Sequence, residues 1–136
     1  EALRGKHILI TGATGLIGGL LTKALVCAGV SRGLGLKVLG VVRNREKAER
    51  LLGNYLGHGL ELIEGDVTEP ILYDGAVDYV FHTASMAASK DFVERPVETI
   101  LTALRGTRNL LELAREKQVR SMVYLSSMEA YGVVDP

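Results

Sequence analysis

The run Lys6–Thr11 (KHILIT) stops at Gly12-Ala13-Thr14-Gly15-Leu16-Ile17-Gly18, and helical spacing of apolar residues begins directly behind it. This junction constrains the chain more than any other feature. Gly12 permits a tight turn, Gly15 lets backbone approach a ligand closely, and Gly18 allows the helix to lie close on the strand. The free N–H groups and positive end of a helix starting near Leu16 then face an anion. A strand, this turn and a helix, in that order, are what a dinucleotide diphosphate requires. Gly12, Thr14, Gly15, Leu16, Ile17 and Gly18 are therefore the residues expected to hold it. A glycine-rich loop without a ligand is the plainer alternative.

The rest of the chain repeats the alternation. Leu16, Ile17, Leu20, Leu21, Ala24, Leu25 and Ala28 are spaced to share one helical face. A glycine-rich connection, Gly29–Gly35, leads to a second strand, Lys37–Val42 (KVLGVV), and Arg45–Leu52 reads as a short charged helix. Glycines at 53, 57 and 59 precede a third strand, Leu60–Glu64; Val77–Phe81 and Ser121–Leu125 read as the fourth and fifth. Pro96 suits the first turn of a helix reaching about Glu116, with Val97, Ile100, Leu101, Leu104, Leu110, Leu111 and Ala114 at three- and four-residue steps. Apolar strands alternating with helices predict an α/β domain: a doubly wound parallel sheet of the Rossmann type, in the order 3-2-1-4-5. Ligands of such sheets bind beyond the carboxyl ends of the strands.

Composition sets outer bounds. The 136 residues suit one domain, and 47% hydrophobic with 24% charged content is ordinary for a globular protein. Sixteen basic and sixteen acidic residues balance, which gives no electrostatic reason to expect nucleic acid or an anionic membrane as partner. No apolar run reaches the ~18 residues of a spanning helix. The single cysteine, Cys27, fits a reducing compartment, so a cytoplasmic location is expected. No metal-ligand set is identified.

Two strand ends bear on the adenosine half of a dinucleotide. Sites that prefer NAD place an acid after the second strand to bond the ribose 2′-hydroxyl, whereas NADP sites use a nearby Arg. Here the strand ends Val41-Val42-Arg43-Asn44, so Arg43 can pair with a 2′-phosphate or stand as a solvated charge. The interval from Gly18 to Arg43 exceeds the usual ~20 residues, and Gly29–Gly35 is the expected insertion. Asp66, after the third strand, can accept from the adenine amino group while Val67 packs on the ring; an Asp there also serves as a turn residue. The expected cofactor is NAD or NADP.

Taken in order, the glycine turn, Gly65-Asp66-Val67, His82-Thr83-Ala84-Ser85, Gly106-Thr107-Arg108-Asn109-Leu110-Leu111 and Tyr124-Leu125-Ser126-Ser127-Met128-Glu129-Ala130-Tyr131-Gly132 resemble the extended short-chain dehydrogenase/reductases, the NAD-dependent epimerase/dehydratase family acting on nucleotide sugars. The resemblance covers essentially the whole chain. It implies that Ser127, four residues before Tyr131, bonds the sugar oxygen being oxidised or reduced. It also implies that Ala84 is the small residue letting the chain pass near the cofactor and that Thr83 bonds its ribose. His82 reads as a packed strand-end histidine. Where many members carry Asn, three residues before the Gly-Thr pair, this chain has Ala103. Glu129 falls on the base position of the 4,6-dehydratases, or is a solvent-facing carboxylate. Met128 stands in the place of their proton-donating Asp and cannot donate. That disfavours ordinary 4,6-dehydration and leaves 4-epimerisation or a decarboxylase-like reaction.

The family's Tyr-x-x-x-Lys pair is not present: four residues after Tyr55, Tyr73, Tyr79, Tyr124 and Tyr131 come Gly59, Val77, Thr83, Met128 and Asp135. The expectation is an N-terminal fragment, truncated before the last strands and the substrate region, that binds cofactor without turnover. In the full protein, hydride would pass between sugar C4 and the nicotinamide. The implied partners are a nucleotide-sugar substrate and a second copy in a homodimer. A non-catalytic NADP-sensing protein on the same fold is the alternative.

Overall fold

The computed structural model describes residues 2–86 and 89–132, the side chains of Ser89, Met128 and Glu129 excepted. Five parallel strands form one sheet in the order β3-β2-β1-β4-β5, as the alternation predicts. They are β1 (His7–Thr11), β2 (Lys37–Val42), β3 (Leu60–Glu64), β4 (Tyr79–His82) and β5 (Ser121–Tyr124). The helices are α1 (Leu16–Ser31), α2 (Arg45–Leu52), α3 (Ser89–Glu94) and α4 (Pro96–Glu116). Two apolar clusters occupy the two faces of the sheet. Ile8, Ile10, Val38 and Val42 point to one with Val26, Ala48 and Leu52; Leu9, Leu39, Val41 and Val80 point to the other with Leu110 and Leu113. Alternate residues of one strand serve opposite clusters, the period-2 geometry of a strand covered on both sides.

Five expectations need correction. The leucine stripe of α1 is not its buried face: Leu16 is 83% exposed and Leu20 63%, while Gly18, Thr22, Val26 and Gly29 are buried. A Cβ on Gly18 would overlap the Gly12 carbonyl oxygen and Thr83 Oγ1. The first turn of the helix lies so close to the β1–α1 turn that only small side chains fit between; Leu16, Ile17 and Leu20 are turned outward, while Leu21 and Leu25 pack partly on the core. The expected connection Gly29–Gly35 is shorter than predicted, because its first three residues belong to α1. α1 runs on to Ser31 and closes through Gly33 at φ +55°, with the Leu34 N–H on the Gly29 carbonyl at 2.9 Å and the Gly33 N–H on Val30 at 3.1 Å. That pairing is a Schellman termination.

The apolar stripe of α4 is likewise turned out. Val97, Ile100, Leu101, Leu104 and Leu111 are exposed, and the helix buries Thr99, Gly106, Leu110 and Leu113. Gly106 governs the choice. A Cβ there would stand 3.0 Å from Val67 Cγ2, so the helix again makes its close approach, here to the segment after β3, through its smallest residue. α4 closes in the same motif as α1, with Gln118 at φ +53° where α1 has glycine.

The fourth strand begins at Tyr79 rather than Val77, because Ile8 pairs with Tyr79 and the Asp78 side chain takes over at the ladder's start. Asp78 Oδ2 accepts the His7 N–H at 3.0 Å, and Oδ1 pairs with Lys6 Nζ at 3.0 Å and Arg120 Nε at 3.5 Å. These bonds hold its carboxyl below the usual carboxylate range, the His7 N–H foremost. The fifth strand stops at Tyr124, one residue short of the expected Leu125.

Candidate functional site

The chain leaves β1, β2, β3 and β4 at the same end of the sheet, and the segments that follow enclose a cleft of about 270 Å³. The turn after β1 forms one wall. Gly12 has φ +68°, and a Cβ there would come within 2.9 Å of Ala84 N and Cα. Glycine is thus required at Gly12 for both backbone conformation and space, and at Gly18 for space. The Gly15 N–H turns back to the Gly12 carbonyl at 2.8 Å, and the first bond of α1 runs from Gly19 N–H to Gly15 at 2.8 Å. The amides of Leu16, Ile17 and Gly18 consequently have no acceptor within the helix. Leu16 and Ile17 do not line the cleft, so any part they take in binding is through main chain.

Beneath the turn, Thr11 of β1, His82 of β4 and Thr83 just after it lock the wall in place. Thr11 Oγ1 accepts the Ala84 N–H at 3.2 Å and lies 2.8 Å from His82 Nδ1. The Thr11 hydroxyl thus serves the Ala84 amide and the His82 ring together. Nε2 is buried with no partner among the described residues, and burial pushes the ring pKa below the ordinary histidine value. His82 is thus a packed strand-end residue, not a cleft residue. Thr83 Oγ1 donates to the Thr11 carbonyl at 2.6 Å. Its proton is committed to the backbone, and only its lone pairs face the cleft.

At the other end of the cleft stand Arg43, Asn44 and Lys47 from the start of α2, with Asp66 and Val67 after β3. The two readings of Asp66 divide between its oxygens. Oδ1 accepts from Thr68 N and Thr68 Oγ1, both at 2.9 Å, making it a turn residue; Oδ2 lies 4.0 Å from Arg43 Nη1. Val67 is held by its carbonyl, which accepts Asn109 Nδ2 of α4 at 2.8 Å. The structure therefore brings Gly12, Thr14, Gly15, Arg43, Asp66, Val67, Thr83 and Ala84 to one cleft. Ser127 stands exposed beyond β5, outside that lining, and the side chain of Glu129 lies outside the described residues.

Sequence reasoning missed Lys47, and it missed the contacts that Thr11 and Asn109 make. Lys47 had a usable signal in its place in the first turn of α2, directly after the second strand's end. Thr11 and Asn109 act only across the fold, and no local pattern announces them. A larger hollow of about 590 Å³ lies elsewhere, over α4 and β5, between Leu104, Leu111 and Tyr124. It is apolar and holds none of the glycine turn. No helix among the described residues is long and apolar enough to cross a membrane.

Comparison with known proteins agrees with this geometry. The NAD dependent epimerase/dehydratase family model matches residues 8–136. UDP-glucuronic acid decarboxylase 1 of Danio rerio is 34% identical over 128 residues, 93% of this chain and 28% of the relative. A solved UDP-galactose 4-epimerase superposes with a TM-score of 0.75 at 28% identity, over 96% of this chain and 41% of its own. The UDP-glucose 4-epimerase of Bifidobacterium longum, solved with NAD+ and UDP, has a TM-score of 0.73 over 93% of this chain and 38% of its own. At 24% identity that likeness speaks for the fold alone. The chain spans just over a quarter of the length of relatives such as the Danio rerio enzyme. By the family match and the identity of its relatives, the chain belongs to the NAD dependent epimerase/dehydratase family.

Proposed function

We propose that the chain is the dinucleotide-binding portion of a nucleotide-sugar oxidoreductase, with NAD or NADP held across the cleft and hydride exchanged at the sugar C4 in the whole protein. The observation that carries this is the pair of close approaches at Gly12 and Gly18, each of which a Cβ would fill. They seat the turn and the start of α1 directly against Thr83 and Ala84, so that bare main chain forms the cleft wall proposed to receive a diphosphate, with the Leu16–Gly18 amides at a helix N-terminus beside it. When bound, the nicotinamide supplies the hydride exchange. The chain's own residues bind and orient. Gly12, Thr14 and Gly15 shape the diphosphate wall, Val67 offers an apolar face to the adenine, Asp66 Oδ2 an acceptor, and Thr83 Oγ1 an acceptor toward the ribose. Ala84 keeps the middle of the cleft open because its side chain is a single methyl.

Ser127 is proposed to donate its hydroxyl proton to the sugar oxygen where negative charge develops, and Glu129 to take a proton beside the ketone. Met128 has no proton to give, so the reading favours epimerisation or a decarboxylase-like course over 4,6-dehydration. None of the tyrosines has a lysine four residues on, and the proposal for the 136-residue chain itself is cofactor binding without turnover. The apolar stripe of α4 is proposed to serve a homodimer. Titration calorimetry tests the core of the reading. The chain should bind at least one dinucleotide saturably, and Gly15→Val should abolish binding while leaving the circular dichroism unchanged. Gly15 has φ −78°, which valine tolerates, and its side chain would enter the cleft. No heat with either dinucleotide from folded protein would overturn the proposal.

A further inference from the structure

We propose that Asn109 of α4, which lies outside the cleft lining, is a positioning residue for the adenine end of the site: its amide sets where Val67 stands, and so how well the cleft grips an adenosine ligand. The inference rests on the reading of the cleft as a dinucleotide site with Val67 as its adenine face, and adds what holds that face in place.

The connection from β3 to β4 contains no helix or strand over residues 65–78. A crossover between parallel strands usually carries a helix that braces it. Here the stretch that lines the cleft depends on separate attachments. Within residues 66–69 the polar bonds are mostly internal: Thr68 N and Oγ1 both donate to Asp66 Oδ1, and the Glu69 N–H donates to the Asp66 carbonyl at 3.0 Å. Those bonds shape the turn without attaching it to anything. Arg43 reaches Asp66 Oδ2 only at 4.0 Å, between two exposed side chains, which makes a weak tie. The Gly65 N–H on the Val42 carbonyl at 3.0 Å fixes the start of the stretch to β2. Asn109 Nδ2, donating to the Val67 carbonyl at 2.8 Å, is the one hydrogen bond among the described residues that ties 66–69 to another element.

The donor stands on a fixed base. Leu110, the next residue of α4, is fully buried, and Leu113 packs in the same apolar cluster with Ile71 and Val80. One turn before Asn109, Gly106 meets the Val67 side chain, where an added Cβ would stand 3.0 Å from Cγ2. Val67 is therefore set from two sides. Packing at Gly106 limits its approach to α4, and the hydrogen bond from Asn109 stops it from moving away. Both act from one face of one helix, three residues apart. An apolar wall contributes to binding only while it stands at van der Waals distance from the ring. A donor that fixes the wall thus tunes affinity without touching the ligand.

Titrations of the whole chain with adenosine 5′-monophosphate and NAD by calorimetry, and with nicotinamide mononucleotide by NMR, test this. Asn109→Leu removes the donor at an interior helix position that leucine suits. Asn109→Asp keeps the shape and sets a carboxylate against the Val67 carbonyl. Each should weaken the monophosphate and NAD by about tenfold, and the adenine-free mononucleotide by less than about twofold. In a Val67→Ala background, Asn109→Leu should add less than about a twofold further loss, because it acts through that side chain. A residue that only docked α4 would instead lower the urea midpoint and weaken all three ligands together. That outcome, an unchanged monophosphate affinity in both variants, or full additivity with Val67→Ala overturns the positioning role and leaves the dinucleotide reading standing. No binding of the monophosphate, NAD or NADP by the folded wild-type chain overturns both.

Discussion

The two flanks of the sheet are finished to different degrees. On the β2–β3 side, β2 is buried along nearly its whole length, α1 packs through glycine and threonine, and α1 ends in a left-handed glycine. On the β5 side, Val123 and Tyr124 are exposed, α4 turns five large apolar residues outward, and its termination puts Gln118 where glycine is favoured. Most of the cleft belongs to the first flank, and the apolar hollow belongs to the second. Tolerance to substitution should follow the same division. Where the chain meets its ligand, close backbone approach has fixed the small residues. Along the outer flank the pattern serves packing that these residues do not make with one another.

The largest contrast is expected at Gly18. Gly18→Ala inserts a Cβ into the Gly12 carbonyl and Thr83 Oγ1, and should cost about 3 kcal/mol or more in urea unfolding as well as dinucleotide binding. An alanine as stable as the wild type would mean that α1 does not rest on the turn. Next in size is an acid response. The folded-state pKa of His82 is lowered by burial, so the unfolded chain takes up its proton first. Stability should therefore hold above the ordinary histidine value of 6.5 and fall as pH drops below it. A second decline should begin below 3.8, where the unfolded chain would protonate Asp78 ahead of the folded one. His82→Gln should flatten the first decline and spare the second.

On the outer flank the signs and sizes change. Gln118→Gly relieves a left-handed φ and should raise stability by about 0.5–1 kcal/mol, read as a shift in denaturation midpoint; a loss there would break the parallel with Gly33. Smallest is the joint change Leu104→Gln and Leu111→Gln, expected to move stability by less than ~0.5 kcal/mol per site. Sedimentation velocity should nonetheless show less self-association, because these residues form the exposed stripe. A large loss of stability instead would place them in the core.

The same division decides what the sequence could say. Strand order, β2, α2 and the span of α4 follow from apolar runs and helical periods that need no partner to be read. The buried faces of α1 and α4 did not follow. In both helices the residue nearest the sheet is a glycine, Gly18 or Gly106, and periodicity weights leucines. Small side chains carry no hydrophobic signal, although they decide how near two elements can lie. Candidate residues on the loops were legible because each follows a strand end, as Arg43 and Asp66 do. Thr11, His82 and Ala84 interlock across more than seventy residues of chain, and that contact exists only once β1 and β4 are paired.

Asp78 has a consequence beyond local bonding. It ties the start of β1 to the start of β4 and reaches Arg120 ahead of β5, all at the end of the sheet opposite the cleft. The strands are thereby indexed against one another far from the loops that meet a ligand. Segments such as 43–47 and 83–86 can be exchanged with the indexing intact. The molecule is in this sense a frame with interchangeable fittings, and altered ligand preference should be reachable by loop replacement alone.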